Sequence, residues 1–239
     1  MDNSKTYLEA LLIPLLKKYR KGELVKIGNY SLVETINAHA ILSGDDSELL
    51  NVHDVIKTDE AYVNRELRWY LTMSRSIHPD MSSIKIWQQT ADSNGIINSN
   101  YGWCIFSKEN GSQYQHAVNF LKNDRHSRQS TCIYTRPSIQ EDYCTNGRYD
   151  MICTFATQHL IRDEELHYIV NMRSNDAIYG FKNDFAWHHY VANQMKNELG
   201  CTKVHIHWNA GSFHVYDRHF KLLDSLLEIP EVQKMVESC

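Results

Sequence analysis

The sequence predicts an α+β fold in which helices pack on a mixed, mainly antiparallel sheet. Three observations carry this: apolar residues at helical spacing dominate the first half, apolar and polar residues alternate in the second, and no repeat or Pro/Gly-rich linker interrupts the 239 residues. A chain of this length can bury a sizeable core, and seven Phe, five Trp and 14 Tyr supply its volume. A single domain over residues 1–239 is expected.

The elements follow in order. Leu8, Leu11, Leu12, Leu15 and Leu16 share one helical face, and Pro14 either kinks that helix or marks its first turn. Residues 23–42 alternate around Asn29 and read as one or two strands joined by a turn. Residues 59–74 place Tyr62, Val63, Trp69, Tyr70 and Met73 on an apolar band, with Thr58 or Asp59 as N-cap. Residues 113–121 form a further helix through Tyr114, Ala117, Val118 and Leu121, and the polar stretch 123–128 stops it. Residues 130–135 are a short strand before Pro137. Residues 151–161 and 166–172 read as a hairpin closed by the charged turn 162–165. A helix over 183–199 ends at Gly200, a residue suited to the left-handed C-terminal position. Residues 203–209 alternate Val204, Ile206 and Trp208 against His205, His207 and Asn209, as a half-buried strand does. A last helix over 217–227 carries Phe220, Leu223 and Leu227 on one face.

Charge narrows the function. With 25 basic against 29 acidic residues and a net charge of -4, the chain lacks a broad electrostatic grip on nucleic acid. A small anion remains compatible, because one phosphate needs only about two to four converging cations. The apolar run 11–16 is far short of the ~20 residues of a membrane span, and Met1-Asp2-Asn3 lacks a basic signal region, so a soluble, cytoplasmic protein is expected. The six cysteines (104, 132, 144, 153, 201 and 239) contain no C-x-x-C pair and are expected to be reduced thiols.

Several constellations could carry chemistry. Cys153 lies in a strand-like run, where an inert buried thiol is the plainer reading; Arg173, on the paired strand, would favour its thiolate. His205 and His207 share a strand face, with His188, His189, His214 and His219 not far along the chain. They could ligate zinc, but polar histidines on a solvated face are the simpler account, and no metal is expected. The segments 98–102 and 209–212 read as turns. Glu66, beside an apolar band, is either a proton-moving carboxylate or a helix-surface glutamate.

Taken in order, Arg65 to Tyr70, Lys85-Ile86-Trp87-Gln88-Gln89, Asn98-Ser99-Asn100-Tyr101-Gly102-Trp103, Ile133-Tyr134-Thr135-Arg136-Pro137-Ser138, Asn171 to Asp176 with Gly180 to Asp184, and His214-Val215-Tyr216 resemble the thymidylate synthase superfamily. The match covers roughly residues 58–220, and the Tyr-Thr-Arg-Pro-Ser and Gly-Phe-Lys-Asn-Asp segments are most similar to its deoxycytidylate hydroxymethylase branch. The resemblance implies that Cys153 adds to C6 of a pyrimidine nucleoside monophosphate and makes C5 a nucleophile toward 5,10-methylenetetrahydrofolate. It further implies that Arg173, Ser174 and Arg128 hold the phosphate, His214 and Tyr216 the sugar hydroxyl, and Asp184 the base, with Asn183 a further substrate-binding residue. By the same resemblance, Glu66 matches the carboxylate that organises water and proton transfer, Tyr101 the residue near C5, and Trp87 and Asp176 the folate contacts.

Asp184 stands where synthases acting on deoxyuridylate have asparagine. A carboxylate can accept from the 4-amino group and favour protonation at N3, so cytosine is the expected base. The departures are Gln129, where a second arginine is usual, Thr154 after the cysteine, and an N-terminal arginine loop for which only Lys17, Lys18, Arg20 and Lys21 are candidates. Arg125 is the candidate substitute for the missing arginine. Arg128, acting across an interface, implies a homodimer with composite sites. The resemblance also implies a phage setting and neither a membrane nor a stable nucleic-acid partner. Hydroxymethylation is the leading reading. A deoxycytidylate methyltransferase, using the folate as carbon and hydride donor, and a non-catalytic nucleotide- or RNA-binding relative are the alternatives.

Overall fold

The structure is a computed structural model that describes residues 7–43 and 51–238; Met1-Asp2-Asn3 and Cys239 lie outside them. Residues 1–58 and 164–239 form one compact unit and residues 59–163 another.

In the first stretch, a turn of π-helix at Leu8–Leu12 leads into α1, Ile13–Arg20, with Pro14 in the first turn. The widened turn lies where the proline ring would meet the carbonyl of an ordinary α-turn. All five predicted leucines are buried. Tyr7 stacks on Phe181 and donates its hydroxyl proton to Ala177 O. Strands β1, Val25–Ile27, and β2, Tyr30–Ser43, pair antiparallel around Gly28 and Asn29.

In the second stretch, α2 spans Glu60–Leu71, and the Asp59 carboxylate caps it by accepting from Tyr62 N at 2.9 Å. Met73 falls outside the predicted apolar band. Thr72 bonds back to Trp69 O at 2.7 Å, the helix stops, and Met73 takes a positive φ of 56° with its side chain exposed. Helices α3 (Lys85–Thr90), α4 (Tyr101–Phe106), α5 (Gln113–Asn123) and α6 (Ile139–Asp142) follow, with β3 (Thr131–Ile133) ahead of α6 and β4 (Thr154–Arg162) last. Three of these helices went unseen in the sequence because four to six residues show no helical period. Strands β3 and β4 pair antiparallel, with Cys132 opposite Thr157.

In the third stretch, Asp163 and Glu164, both at positive φ, precede β5, Glu165–Asp176. Helix α7, Gly180–Leu199, ends on Gly200 in the left-handed conformation, as predicted. Strand β6, Lys203–Tyr216, is followed by α8, Phe220–Leu227, and α9, Pro230–Glu237. In this unit β1 pairs with β2 and β2 with β6, both antiparallel, whereas β5 and β6 run parallel, so the sheet is mixed as expected. One face buries Leu166, Tyr168, Val170 and Met172 from β5 and Val204, Ile206, Trp208 and Ala210 from β6. Phe181 and Phe185 of α7 meet Trp208 there, at 5.1 and 6.1 Å between ring centroids.

Residues 209–212, expected as a turn, continue β6. Gly211 is the reason the strand can pass: a Cβ at that position would stand 2.9 Å from Arg173 O of β5. Helix α8 buries Leu223 and Leu226, with Leu227 only half-buried, and α9 buries Val232 and Val236. Among the described residues no helix is long and apolar enough to cross a membrane.

The tightest helix contact has a measurable consequence. A Cβ on Gly102 would lie 1.9 Å from Tyr70 O, a backbone atom that cannot swing aside. Gly102→Ala should therefore lower unfolding free energy by about 2–3 kcal/mol in urea titration, the cost of forced overpacking. An unshifted midpoint would contradict the packing of α4 on α2.

Candidate active site

Within residues 59–163, Glu66 is buried on α2 and accepts from Tyr62 OH at 2.8 Å, while Trp87 Nε1 on α3 donates to the same hydroxyl at 3.0 Å. The structure thus joins two predicted residues through Tyr62, which the sequence placed only on an apolar band. Aromatic contacts continue from there: Trp87 meets Trp69 edge-on at 4.9 Å, Tyr70 lies 5.4 Å from Tyr101, and Tyr101 meets Tyr134 at 5.2 Å.

Tyr101 opens α4, and the segment before it is no simple turn. Asn100, fully buried, caps α4 through Trp103 N at 2.8 Å and ties back to Ser74 O at 2.8 Å. Asn98 is also fully buried, and its Oδ1 accepts from three guanidinium groups, those of Arg75, Arg136 and Arg148, at 2.8, 2.9 and 3.0 Å. Asp92 and Asp142 pair with Arg148 and Arg136 at 2.9 Å each. Burial lowers the Arg75 pKa, and the charges of Arg148 and Arg136 add to the effect. Asp150 Oδ2 accepts from Asn98 N, Ser99 N and Ser99 Oγ at 2.5, 2.8 and 2.9 Å. These bonds tie the run leading to Cys153 to the run leading to Tyr101, and burial raises the Asp150 carboxyl pKa.

Cys153 sits one residue before β4, not inside a strand, and it is half-buried instead of buried. That corrects the expected strand placement and full burial of this thiol. Cys104 and Cys132 fit the inert description, since burial pushes both thiols up to about 12. Arg128 is exposed in the loop after α5, and its main-chain oxygen accepts from Gln158 Nε2 at 3.0 Å. Arg125 is half-buried and Gln129 exposed.

In the other unit, β5 carries Arg173, Ser174 and Asp176, and the parallel ladder sets Ser174 opposite Ser212 and Asp176 opposite His214. Asp176 Oδ1 accepts from Ile178 N and Tyr179 N at 2.8 and 3.1 Å, and Oδ2 pairs with Arg218 at 3.1 Å. His214 is buried. Its Nδ1 meets Ser212 Oγ at 3.1 Å, Ser212 donates to Glu34 of β2, and burial lowers the imidazole pKa. Tyr216 packs edge-on against His214 at 4.8 Å, and Arg218 stacks over Tyr216 at 4.2 Å. Asn183 and Asp184 are half-buried on α7, and Asn175 Nδ2 donates to Asp184 Oδ2 at 2.7 Å. Asn175, Ser212, Glu34 and Arg218 went unnoticed as site residues. Asn175 lies inside a family-like motif and Ser212 in a run taken for a turn, whereas Glu34 is brought in only by strand pairing. The N-terminal cations are committed elsewhere: Lys17 to Ser238 O, Lys18 to Glu34 O and Arg20 to Glu237, at 2.9, 2.8 and 3.0 Å, while Lys21 is exposed.

The strand histidines 205 and 207 are half-buried and bonded to side chains of β5 instead of lying on a fully solvated face. His167 Nδ1 meets His207 Nε2 at 2.9 Å, and His205 Nε2 meets Glu165 at 2.6 Å. Burial, reinforced by the neighbouring imidazoles, pushes His207 down to about 4. Among the described residues no group of three or more His, Cys, Asp or Glu is arranged to hold a metal ion.

The comparisons with known proteins point one way. The sequence model of the family described as thymidylate synthase matches residues 48–235. The chain is 45% identical over 174 residues to deoxycytidylate 5-hydroxymethyltransferase of Enterobacteria phage T4, covering 70% of this chain and 71% of that protein, and equally so to the phage T2 protein of the same name. It is 27% identical over 169 residues to a thymidylate synthase of Fusobacterium nucleatum, covering 69% and 58% of the two chains. Thermostable thymidylate synthase A from Bacillus subtilis shares the fold, with a TM-score of 0.64 at 22% identity over 88% of this chain and 72% of that one.

Two stability measurements check the geometry. Asp150→Ala leaves the buried Asn98 N–H and the part-buried Ser99 N–H without their acceptor and should lower unfolding free energy by about 1–3 kcal/mol for the first and less for the second. A urea midpoint equal to wild type would refute the clamp. His159 is fully buried, its ring nitrogens each 3.0 Å from Ser130 Oγ and Thr157 Oγ1, and burial pushes its pKa down to about 3. The unfolded chain binds that proton near the ordinary value of about 6.5, so stability is complete above that pH and is lost as pH falls toward about 3. The urea midpoint should therefore decline steadily from pH 7 to pH 4.

Proposed function

Because the chain belongs to the thymidylate synthase family, we propose that it is a folate-dependent one-carbon transferase that converts deoxycytidylate to its 5-hydroxymethyl derivative. The observation that carries this reading is the similarity to the phage hydroxymethyltransferases, and the carboxylate of Asp184 agrees with it. The family match runs through both compact units, which supports reading residues 1–239 as one domain.

The roles follow from the chemistry. Cys153, a half-buried thiol, attacks C6 of the cytosine as a thiolate and leaves C5 nucleophilic. Methylenetetrahydrofolate, the co-substrate the family uses, supplies a carbon at the oxidation level of formaldehyde. After transfer, C5 loses its proton and the carbon–nitrogen bond to the folate breaks, so that tetrahydrofolate leaves with that proton and an exocyclic methylene remains; hydroxide from water adds to this methylene, and expulsion of Cys153 from C6, with the thiolate taking up the remaining proton of the water, restores the aromatic ring. Glu66 holds ordered water and exchanges these protons, and the bond that Tyr62 donates to it supports this role. Tyr101 stands beside C5.

The remaining side chains bind and orient. Arg173 and Ser174 hold the phosphate, as does Arg128, whose exposure on its own chain suits a contact to a second copy in a homodimer. His214 and Tyr216 hold the sugar hydroxyl; Ser212 and Glu34 behind His214 fix the ring that presents it. Asn183 and Asp184 face the base. Trp87 offers an aromatic edge to the folate. Asp176 suits a folate donor, since its three bonds use three of the roughly four lone-pair positions of a carboxylate. A phage-encoded enzyme working in the host cytoplasm is the setting that accords with the phage relatives.

Incubation with deoxycytidylate and methylenetetrahydrofolate tests the reaction. The nucleotide should gain about 30 Da without formation of dihydrofolate, whereas a gain of about 14 Da with dihydrofolate would make the chain a methyltransferase. Cys153→Ala should abolish turnover, and undiminished product formation would refute the covalent step. Asp184→Asn should move preference from deoxycytidylate toward deoxyuridylate.

A further inference from the structure

We infer that Asn175 is a specificity-determining residue, which with Asp184 forms an acceptor pair for the two N–H groups of the cytosine 4-amino group. The inference rests on the reading of Asp184 as the base-recognising carboxylate. The resemblance gives a role to Ser174 on one side of Asn175 and to Asp176 on the other, and none to Asn175 itself.

Three observations converge on this side chain. Asn175 is 2% exposed, held in the β5 ladder opposite Phe213. Its Nδ2 donates to Asp184 Oδ2 at 2.7 Å. Its Oδ1 is buried and has no hydrogen-bond partner among the described residues. The Nδ2 bond determines the orientation of the amide, because an ionised carboxylate only accepts and must face the NH2 group. Turning the amide over to pair Oδ1 would set two acceptors against each other at Asp184. The orphaned oxygen is therefore a consequence of the charge on Asp184, and a buried amide oxygen without a donor destabilises the protein unless a bound group supplies one.

The donor that fits is an N–H group lying next to whatever Asp184 binds. Cytosine presents two N–H bonds on one nitrogen, so one can go to the Asp184 carboxylate and the other to Asn175 Oδ1. Uracil presents O4 at the same place, a third acceptor facing two others, and is disfavoured by both. Gly180 lies beside the pair: a Cβ there would stand at ordinary contact distance, 3.4 Å from Asn175 Nδ2 and 3.7 Å from Asp184 Oδ2.

Steady-state kinetics with deoxycytidylate and deoxyuridylate on wild type, Asn175→Ala, Asn175→Ser and Asp184→Asn test the inference. For the Asn175 variants, kcat/KM for deoxycytidylate relative to deoxyuridylate should fall by about tenfold or more, as expected when a recognising group loses one partner, with KM for the folate within about twofold of wild type. Asn175→Ser retains a hydroxyl able to donate to Asp184, so it remains informative if the alanine variant does not fold. A variant that is slower on both nucleotides with an unchanged ratio would reduce Asn175 to a structural residue and overturn the inference. If Asp184→Asn also leaves the ratio unchanged, the base-recognition reading itself fails. If Asp184→Asn shifts it and the Asn175 variants do not, only the role of Asn175 is lost.

Discussion

The parallel pairing of β5 with β6 sets the chemistry of the unit that contains them. It puts Asn171 opposite Asn209, Ser174 opposite Ser212 and Asp176 opposite His214, and β2 on the other side of β6 puts Glu34 opposite His214. A slip of one residue would exchange the two faces of the strand, sending Arg173 where Met172 is buried. Gly211 permits the register, because any side chain there would press on Arg173 O. Ser212 and Glu34 then order His214, and Asp176 commits its carboxylate to the backbone that leads into α7 and to Arg218.

The other unit solves a different problem, that of holding an irregular segment still. Residues 98–100 belong to no helix or strand, yet Asn98 and Asn100 are fully buried and the polar atoms of each are engaged. Three guanidinium groups around a single amide oxygen would repel one another, and the carboxylates of Asp92, Asp142 and Asp150 offset that charge. The arrangement is an all-or-none network, since removing one member strands the charge of another. Local rigidity beside Tyr101 and in the run that leads to Cys153 is the result. Farther along, the Trp87, Tyr62 and Glu66 chain fixes a buried carboxylate through neutral donors.

Most regular elements were legible in the sequence because their signal is local. The α7 helix with its Gly200 terminus, the capped α2 helix and the alternation of β6 follow from spacing and capping that need no partner. Short helices such as α3, α4 and α6 carry too few residues for a period, and each is stabilised by what it packs on. Met73 and residues 209–212 misled for related reasons. Met73 left its helix because Thr72 bonded back to the preceding turn. The 209–212 run resembles a turn because glycine is common in turns, although here Gly211 admits a neighbouring strand.

The sequence alone determined the order of the motifs, and with it which residues from Glu66 to Tyr216 are proposed to bear the chemistry, because side-chain type and spacing are properties of the chain itself. It also determined the charge balance, which argues against a broad electrostatic grip on nucleic acid and is compatible with a small anion. Tertiary structure decided that Cys153 is half-buried while Cys104 and Cys132 are buried, and that Lys17, Lys18 and Arg20 are committed within their own unit. It also decided that Asn175 turns its amide oxygen into a buried position without a donor among the described residues. Each of those outcomes depends on groups far apart along the chain, or on the charge of a partner, and neither is written in local spacing.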